Sequence, residues 1–179
     1  MKKIIQNSFK KVKLNKENIN KYANFYDERN RNTSDEKIEK ELRDWFKKNR
    51  YLNKEKFIKL GRWKSQRQIK NYKRNSNSII KEITKFSFKT KNEEIRIKIL
   101  MVLHGVSYPV ASVILHFAFP DRYPILDFRA VESLDWKMPK YYSFNFWQKY
   151  CRRLRNISKE LKLPLRTIDK ALWEYSKQK

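Results

Sequence analysis

The sequence predicts an all-α domain, and three observations carry the prediction. Apolar residues recur at helical spacing in one segment after another, Ser, Thr, Asn and Asp stand where helix N-caps belong, and no run of alternating β-branched residues is bounded by turns. A chain of 179 residues suits one domain of ordinary size, or one plus a short appendage. Apolar residues make up 40% of it, with ten Tyr, eleven Phe and five Trp, so a core can be buried despite the low mean hydropathy.

Residues 1–33 are polar and rich in Lys and Asn. Ile19, Tyr22, Phe25 and Tyr26 allow one amphipathic helix there, behind a mobile arm, and this basic stretch is divided from a helical domain over 34–179. Thr33-Ser34-Asp35-Glu36 reads as a capping box, followed by Ile38, Leu42, Trp45 and Phe46 in a helix to about Arg50. Asn53 caps the next helix, holding Phe57, Ile58 and Leu60, which Gly61 is expected to close or kink. Arg62-Trp63-Lys64-Ser65-Gln66-Arg67 follows, a basic cluster around one tryptophan. It reads either as a loop anchored to the core by Trp63 or as a phosphate-binding segment with a stacking aromatic, and the two are compatible.

Ile79, Ile80, Ile83, Phe86 and Phe88 mark a helix ending near Lys89. Thr90-Lys91-Asn92-Glu93 reads as a second capping box, launching a helix from Ile95 to Leu103. Leu103-His104-Gly105-Val106-Ser107 then interrupts two apolar runs, and Tyr108-Pro109 opens the second, with Pro suited to a first helical turn. Only two glycines exist in the chain, so Gly105 at this joint predicts a positive φ or a close backbone approach. Val110–Phe119 is apolar nearly all round and reads as the buried central helix. After the turn-rich residues 120–124, Ile125-Leu126-Asp127 enters a short helix through Val131 and Leu134, with Asp127 at the N-cap. Two helices complete the chain, Phe144 to about Leu161 and Leu165 to about Tyr175, separated by Pro164.

Forty-four Lys and Arg against 19 Asp and Glu give a formal net charge of +25, which points to a polyanionic partner. The longest apolar runs are too short to span a bilayer, which favours nucleic acid over membrane. The basic start lacks an apolar run and a small-residue cleavage site, so a soluble, non-secreted, cytoplasmic protein is expected, in reach of the nucleoid. Cys151 is the lone cysteine, which excludes an internal disulfide, a cysteine-built zinc site and an iron–sulfur cluster. His104 and His116 read as structural residues rather than ligands, and no metal or cofactor is expected. Tyr108, Tyr123 and Trp136 read as core or rim aromatics before base-stacking ones, and Lys149, Arg152, Arg153 and Arg155 as a solvated face or a further nucleic-acid contact.

Three of these segments together resemble the helix-hairpin-helix DNA glycosylase superfamily that includes endonuclease III: Leu103-His104-Gly105-Val106-Ser107, Ala111-Ser112-Val113-Ile114-Leu115 and Ile125-Leu126-Asp127. The first matches the L-P-G-V-G hairpin, the second its apolar helix, and the third the approach to V-D-T-H. The resemblance covers roughly residues 95–134. A closer similarity, to bacterial proteins of unassigned function, is carried by Trp63-Lys64-Ser65, Tyr123 to Asp127 and Leu172-Trp173, and supplies no function.

The resemblance implies a glycosylase-like helical domain that grips one phosphate of double-stranded DNA through hairpin N–H groups, with Gly105, Val106, Ser107 and Tyr108 in that role. Trp63, Lys64, Arg67 and Arg129 are the further candidates for nucleic-acid contact. It also implies that Asp127 lies by the sugar of a flipped nucleotide, orienting water and stabilising positive charge as the glycosidic bond breaks; the alternative for Asp127 is a plain helix cap. The second hairpin glycine is Ser107, and Phe128 and Arg129 replace Thr and His. Where bifunctional members carry a Schiff-base lysine this chain has Pro109, so the implied enzyme is a monofunctional glycosylase without lyase activity. The rival readings are a non-enzymatic DNA or structured-RNA binder on the same scaffold, and a basic adaptor docking on another protein. No membrane and no obligate protein partner are expected.

Overall fold

The computed structural model describes residues 14–179, and among them there are only helices and turns. In order these are α1 (Lys16–Asn30), α2 (Ser34–Lys48), α3 (Lys54–Ser65), a 3-10 turn (Gln66–Gln68), α4 (Ile69–Lys73), α5 (Asn77–Lys89), α6 (Glu93–Leu100), α7 (Tyr108–Ala118), α8 (Phe128–Ser133), α9 (Phe144–Leu161) and α10 (Leu165–Gln178). The mobile arm expected ahead of the first helix falls on residues 1–13, outside those described.

Side-chain caps start most of these helices. Asn15, Thr33, Asn53, Ser76, Asn92, Asp127 and Ser143 each accept from a backbone N–H of the first turn. At α2 the Thr33 hydroxyl accepts from Glu36 N–H at 3.3 Å, and the Glu36 carboxylate reaches back to Asn32 N–H at 2.6 Å. The expected second box differs. Asn92, not Thr90, caps α6, while Thr90 closes α5 and Asn92 N–H donates to its hydroxyl. Asn92 Oδ1 accepts from both Glu94 and Ile95 N–H, at 3.0 and 2.9 Å.

Two further expectations are corrected. Gly61 does not close its helix, because α3 runs through it to Ser65 and so takes in Arg62, Trp63 and Lys64, which one reading of the sequence put in a loop. Gly61 serves close packing instead, since a Cβ there would stand 2.6 Å from the Tyr72 ring. Second, α6 ends at Leu100 rather than Leu103. The apolar spacing continues through the turn that follows, where Leu103 is buried and Val102 is 62% exposed.

α7 is the central helix, with every residue from Val110 to Ala118 buried, and it packs against α2, α3 and α6. α10 lies against α1, α8 and α9. α1 buries Ile19 and Ala23 and meets α10 through the Tyr22–Tyr175 and Tyr26–Trp173 edge contacts and an Arg29–Glu174 pair at 2.5 Å. Arg166 of α10 grips Glu39 of α2 through two hydrogen bonds, at 2.8 and 3.2 Å. Burial alone would raise the Glu39 carboxyl, but the Arg166 guanidinium holds it down at about 2. No helix among the described residues is long and apolar enough to cross a membrane.

Candidate nucleic-acid interface

The turn between α6 and α7 is built around Gly105 at φ +84°, a left-handed conformation that L side chains rarely adopt. It is held from below by Asn75, which is 3% exposed. The Asn75 carbonyl accepts from His104 N–H at 2.8 Å, and its amide donates to the His104 carbonyl at 3.1 Å and the Tyr72 carbonyl at 3.0 Å. One side chain thus staples both backbone groups of His104 to the end of α4. A Cβ at Gly105 would also meet the Tyr72 ring at 2.8 Å. Tyr72 therefore has Gly105 against one edge of its ring and Gly61 against the other.

Beyond the turn, α7 opens at Ser107 with no side-chain cap, and its second residue is Pro109, which has no N–H. Among the described residues no side chain caps the positive end of this eleven-residue helix, the arrangement that suits an anion.

Across from this end lies Asp127, delivered by an extended segment with little freedom. Ile125 N–H donates to Asp169 at 2.9 Å, Ile125 carbonyl accepts from Tyr150 at 2.9 Å, and Leu126 N–H donates to Ser112 at 2.9 Å. Asp127 Oδ1 caps α8 by accepting from Arg129 N–H at 3.0 Å, and Oδ2 accepts from Lys64 Nζ at 2.5 Å. The two side chains are 11% and 19% exposed. One carboxylate is therefore both a helix cap and half of a screened ion pair, and these roles use different oxygens.

Lys64, Arg67, Gly105, Val106, Ser107 and Asp127 line a single open cavity of about 860 Å³. The hairpin, the end of α3 and the start of α8 thus face one another.

No protein-family model matches the chain, and no curated protein sequence does. Among solved structures it is similar to the Methanocaldococcus jannaschii 8-oxoguanine glycosylase/lyase in complex with a 15mer DNA containing 8-oxoguanine, at 23% identity and a TM-score of 0.48, over 94% of this chain and 84% of that one.

Three of the residues singled out from the sequence lie away from this cavity. Tyr108 is 9% exposed and belongs to the core, Trp63 turns from the cavity to meet Phe117 edge-on and the Arg166 guanidinium, and Arg129 lies over the rings of Phe128 and Trp173. Conversely, Gln68, Asn71, His104, Phe128 and Tyr142 line it without having been singled out for that role. The buried His116 is satisfied by the Tyr123 carbonyl at 2.8 Å, and burial, with Arg166 nearby, lowers its imidazole to about 4. Cys151 is buried, and burial pushes its thiol up to about 12. No group of three His, Cys, Asp or Glu among the described residues is placed to hold a metal.

Proposed function

We propose that this protein binds DNA through the Gly105 hairpin and the start of α7, and excises one flipped base at the Lys64–Asp127 pair. The pair carries the reading: a carboxylate held by a lysine, largely out of water, on the wall of a cavity whose other wall is an uncapped helix end. A phosphate at that helix end sets the strand's register without reading sequence. The carboxylate then faces the sugar, where positive charge develops as the glycosidic bond lengthens, and a negative charge in a screened site stabilises it. The lesion is sorted by the base it carries, and the duplex by charge.

A second reading uses the same pair. The amine absent at Pro109 is supplied here from α3, and Lys64 as nucleophile at C1′ would add strand scission to base removal. Borohydride trapping separates the two, since only the amine route leaves a covalent protein–DNA adduct.

The test is single-turnover excision on duplexes with single damaged or mismatched bases, followed by alkali cleavage at abasic sites, for wild type and Asp127→Asn. Asn caps helices about as well as Asp, so the change should cost no more than ~0.5 kcal/mol. Excision should fall by on the order of a hundredfold or more, with duplex affinity equal or slightly tighter. Equal excision rates would reduce Asp127 to a cap, and no excision by wild type across the panel would leave a non-enzymatic binder.

A further inference from the structure

Between Val110 and Ala118 the buried helix α7 carries two polar side chains, His116, which meets the Tyr123 carbonyl, and Ser112. Ser112 is fully buried, and both halves of its hydroxyl are used. It donates to the Pro109 carbonyl at 2.7 Å and accepts from Leu126 N–H at 2.9 Å. Bonding back to its own helix occupies the one donor and leaves an oxygen lone pair for another element. That lone pair holds the residue before Asp127.

Alanine would suit the helix at least as well, having the higher helix propensity and no polar group to bury. It would strand the buried Leu126 N–H, so satisfying that donor is the least this hydroxyl does. Where the bond lands matters as well. Ile125 is fastened to α9 and α10 by Tyr150 and Asp169, on helices that take no part in the hairpin. Of these three anchors Ser112 alone stands on α7, and its acceptor Pro109 lies in that helix's uncapped first turn. Two hydrogen bonds and one peptide unit therefore join the helix end offered to phosphate to the Asp127 carboxylate.

We propose that Ser112 is a positioning residue for excision, fixing the reach from the gripped phosphate to the Asp127 carboxylate. This rests on the excision reading of the Lys64–Asp127 pair. A phosphate held at the start of α7 places its sugar relative to that helix, so the carboxylate has to be placed relative to the same helix. Without the hydroxyl, Asp127 keeps its bonds to Lys64 and Arg129, but its segment is held to α9 and α10 only. A displacement of ~1 Å costs on the order of a hundredfold in rate.

The chain contains a matched control. Thr84 on α5 is also fully buried, donates back to the Ile80 carbonyl at 2.7 Å and accepts from Leu52 N–H at 3.0 Å. Neither neighbour of Leu52 in the chain lines the Lys64–Asp127 cavity.

The experiment compares wild type, Ser112→Ala and Thr84→Val by single-turnover excision, affinity for a duplex with a tetrahydrofuran abasic analogue, and backbone amide exchange. Both variants should lose stability, because each strands a buried Leu N–H. Ser112→Ala should excise about tenfold or more slowly at a duplex affinity within about twofold of wild type. The Arg129 amide, which Asp127 Oδ1 holds, should exchange about tenfold or more faster in that variant. Thr84→Val should leave excision and Arg129 exchange at their wild-type values. Should Ser112→Ala fail to fold by circular dichroism, Ser112→Cys carries the test with the same losses, its thiol being the weaker donor and acceptor. A folded Ser112 variant that excises at the wild-type rate overturns the proposal, as does a Thr84→Val that loses excision equally, since both hydroxyls would then serve stability alone. Wild type that excises nothing brings down the excision reading by itself, and the Arg129 amide then decides. Faster exchange in the Ser112 variant upholds the placement of Asp127 by Ser112, and unchanged exchange ends it.

Discussion

At Gly105 two constraints meet, a positive φ and the Tyr72 ring at van der Waals limit, and they separate on substitution. Gly105→Ala should cost stability by ~1–3 kcal/mol through backbone strain and the clash together. Tyr72→Leu opens the space but leaves φ unchanged, so in a double-mutant cycle by urea unfolding the pair should couple by ~0.5 kcal/mol or more. Additive losses would mean that strain alone holds this position to glycine. That Gly105 needs a special conformation was readable from its place between two apolar runs. Nothing local announced the Asn75 staple or the Lys64–Asp127 pair, because their partners are 29 and 63 residues apart and pattern in a sequence extends over a turn or two. Asp127 was read correctly as a cap, and its second oxygen is what a local reading had no means to place.

Between elements, charge and burial write a pH dependence with opposing slopes. His116 on α7 is lowered to about 4 from an ordinary 6.5, so its contribution is whole above 6.5 and is lost as pH falls toward 4. Asp169 on α10 is raised to about 7, chiefly by burial, against the Ile125 N–H, Arg166 and Lys64, and with Asp127 pushing the other way; it also faces Tyr150 and Cys151 of α9. Its contribution is whole below 3.8 and is lost as pH rises through 7. Between pH 7 and pH 5 the two oppose each other. Thermal unfolding should therefore show little change for wild type over that interval, a gain in stability on acidification for His116→Gln, and a loss for Asp169→Asn. Parallel profiles for all three would remove both groups from the account. Below pH 4.5 the Glu39–Arg166 clamp adds a further acid loss, since Glu39 titrates near 2 when folded. The helices themselves were legible because caps and apolar spacing act within one element. The clamp between α2 and α10, from positions 39 and 166, was not.

For the whole molecule the decisive quantity is net charge, +25 over 179 residues. If about five phosphates are neutralised on binding, log affinity for duplex should fall against log salt with a slope near −4 to −5, and with little dependence on sequence. Affinity indifferent to salt between low and physiological concentration would point to a protein partner instead. The helical body with α7 at its centre was legible in the apolar spacing and the N-caps. Gly61 shows where local position misleads: the same residue that ends helices also lets a ring lie against one, and only the packed Tyr72 tells the two uses apart.

The ring of Tyr72 is wedged between the only two glycines of the chain, one on the helix that carries Lys64 and one in the turn that precedes α7. It acts as a gauge block. The separation between the Gly105 turn and the helix that carries Lys64 is set by the width of one aromatic ring. A different residue at position 72 would shift the turn and the helix at once, so the width of the cavity they wall is a single heritable setting.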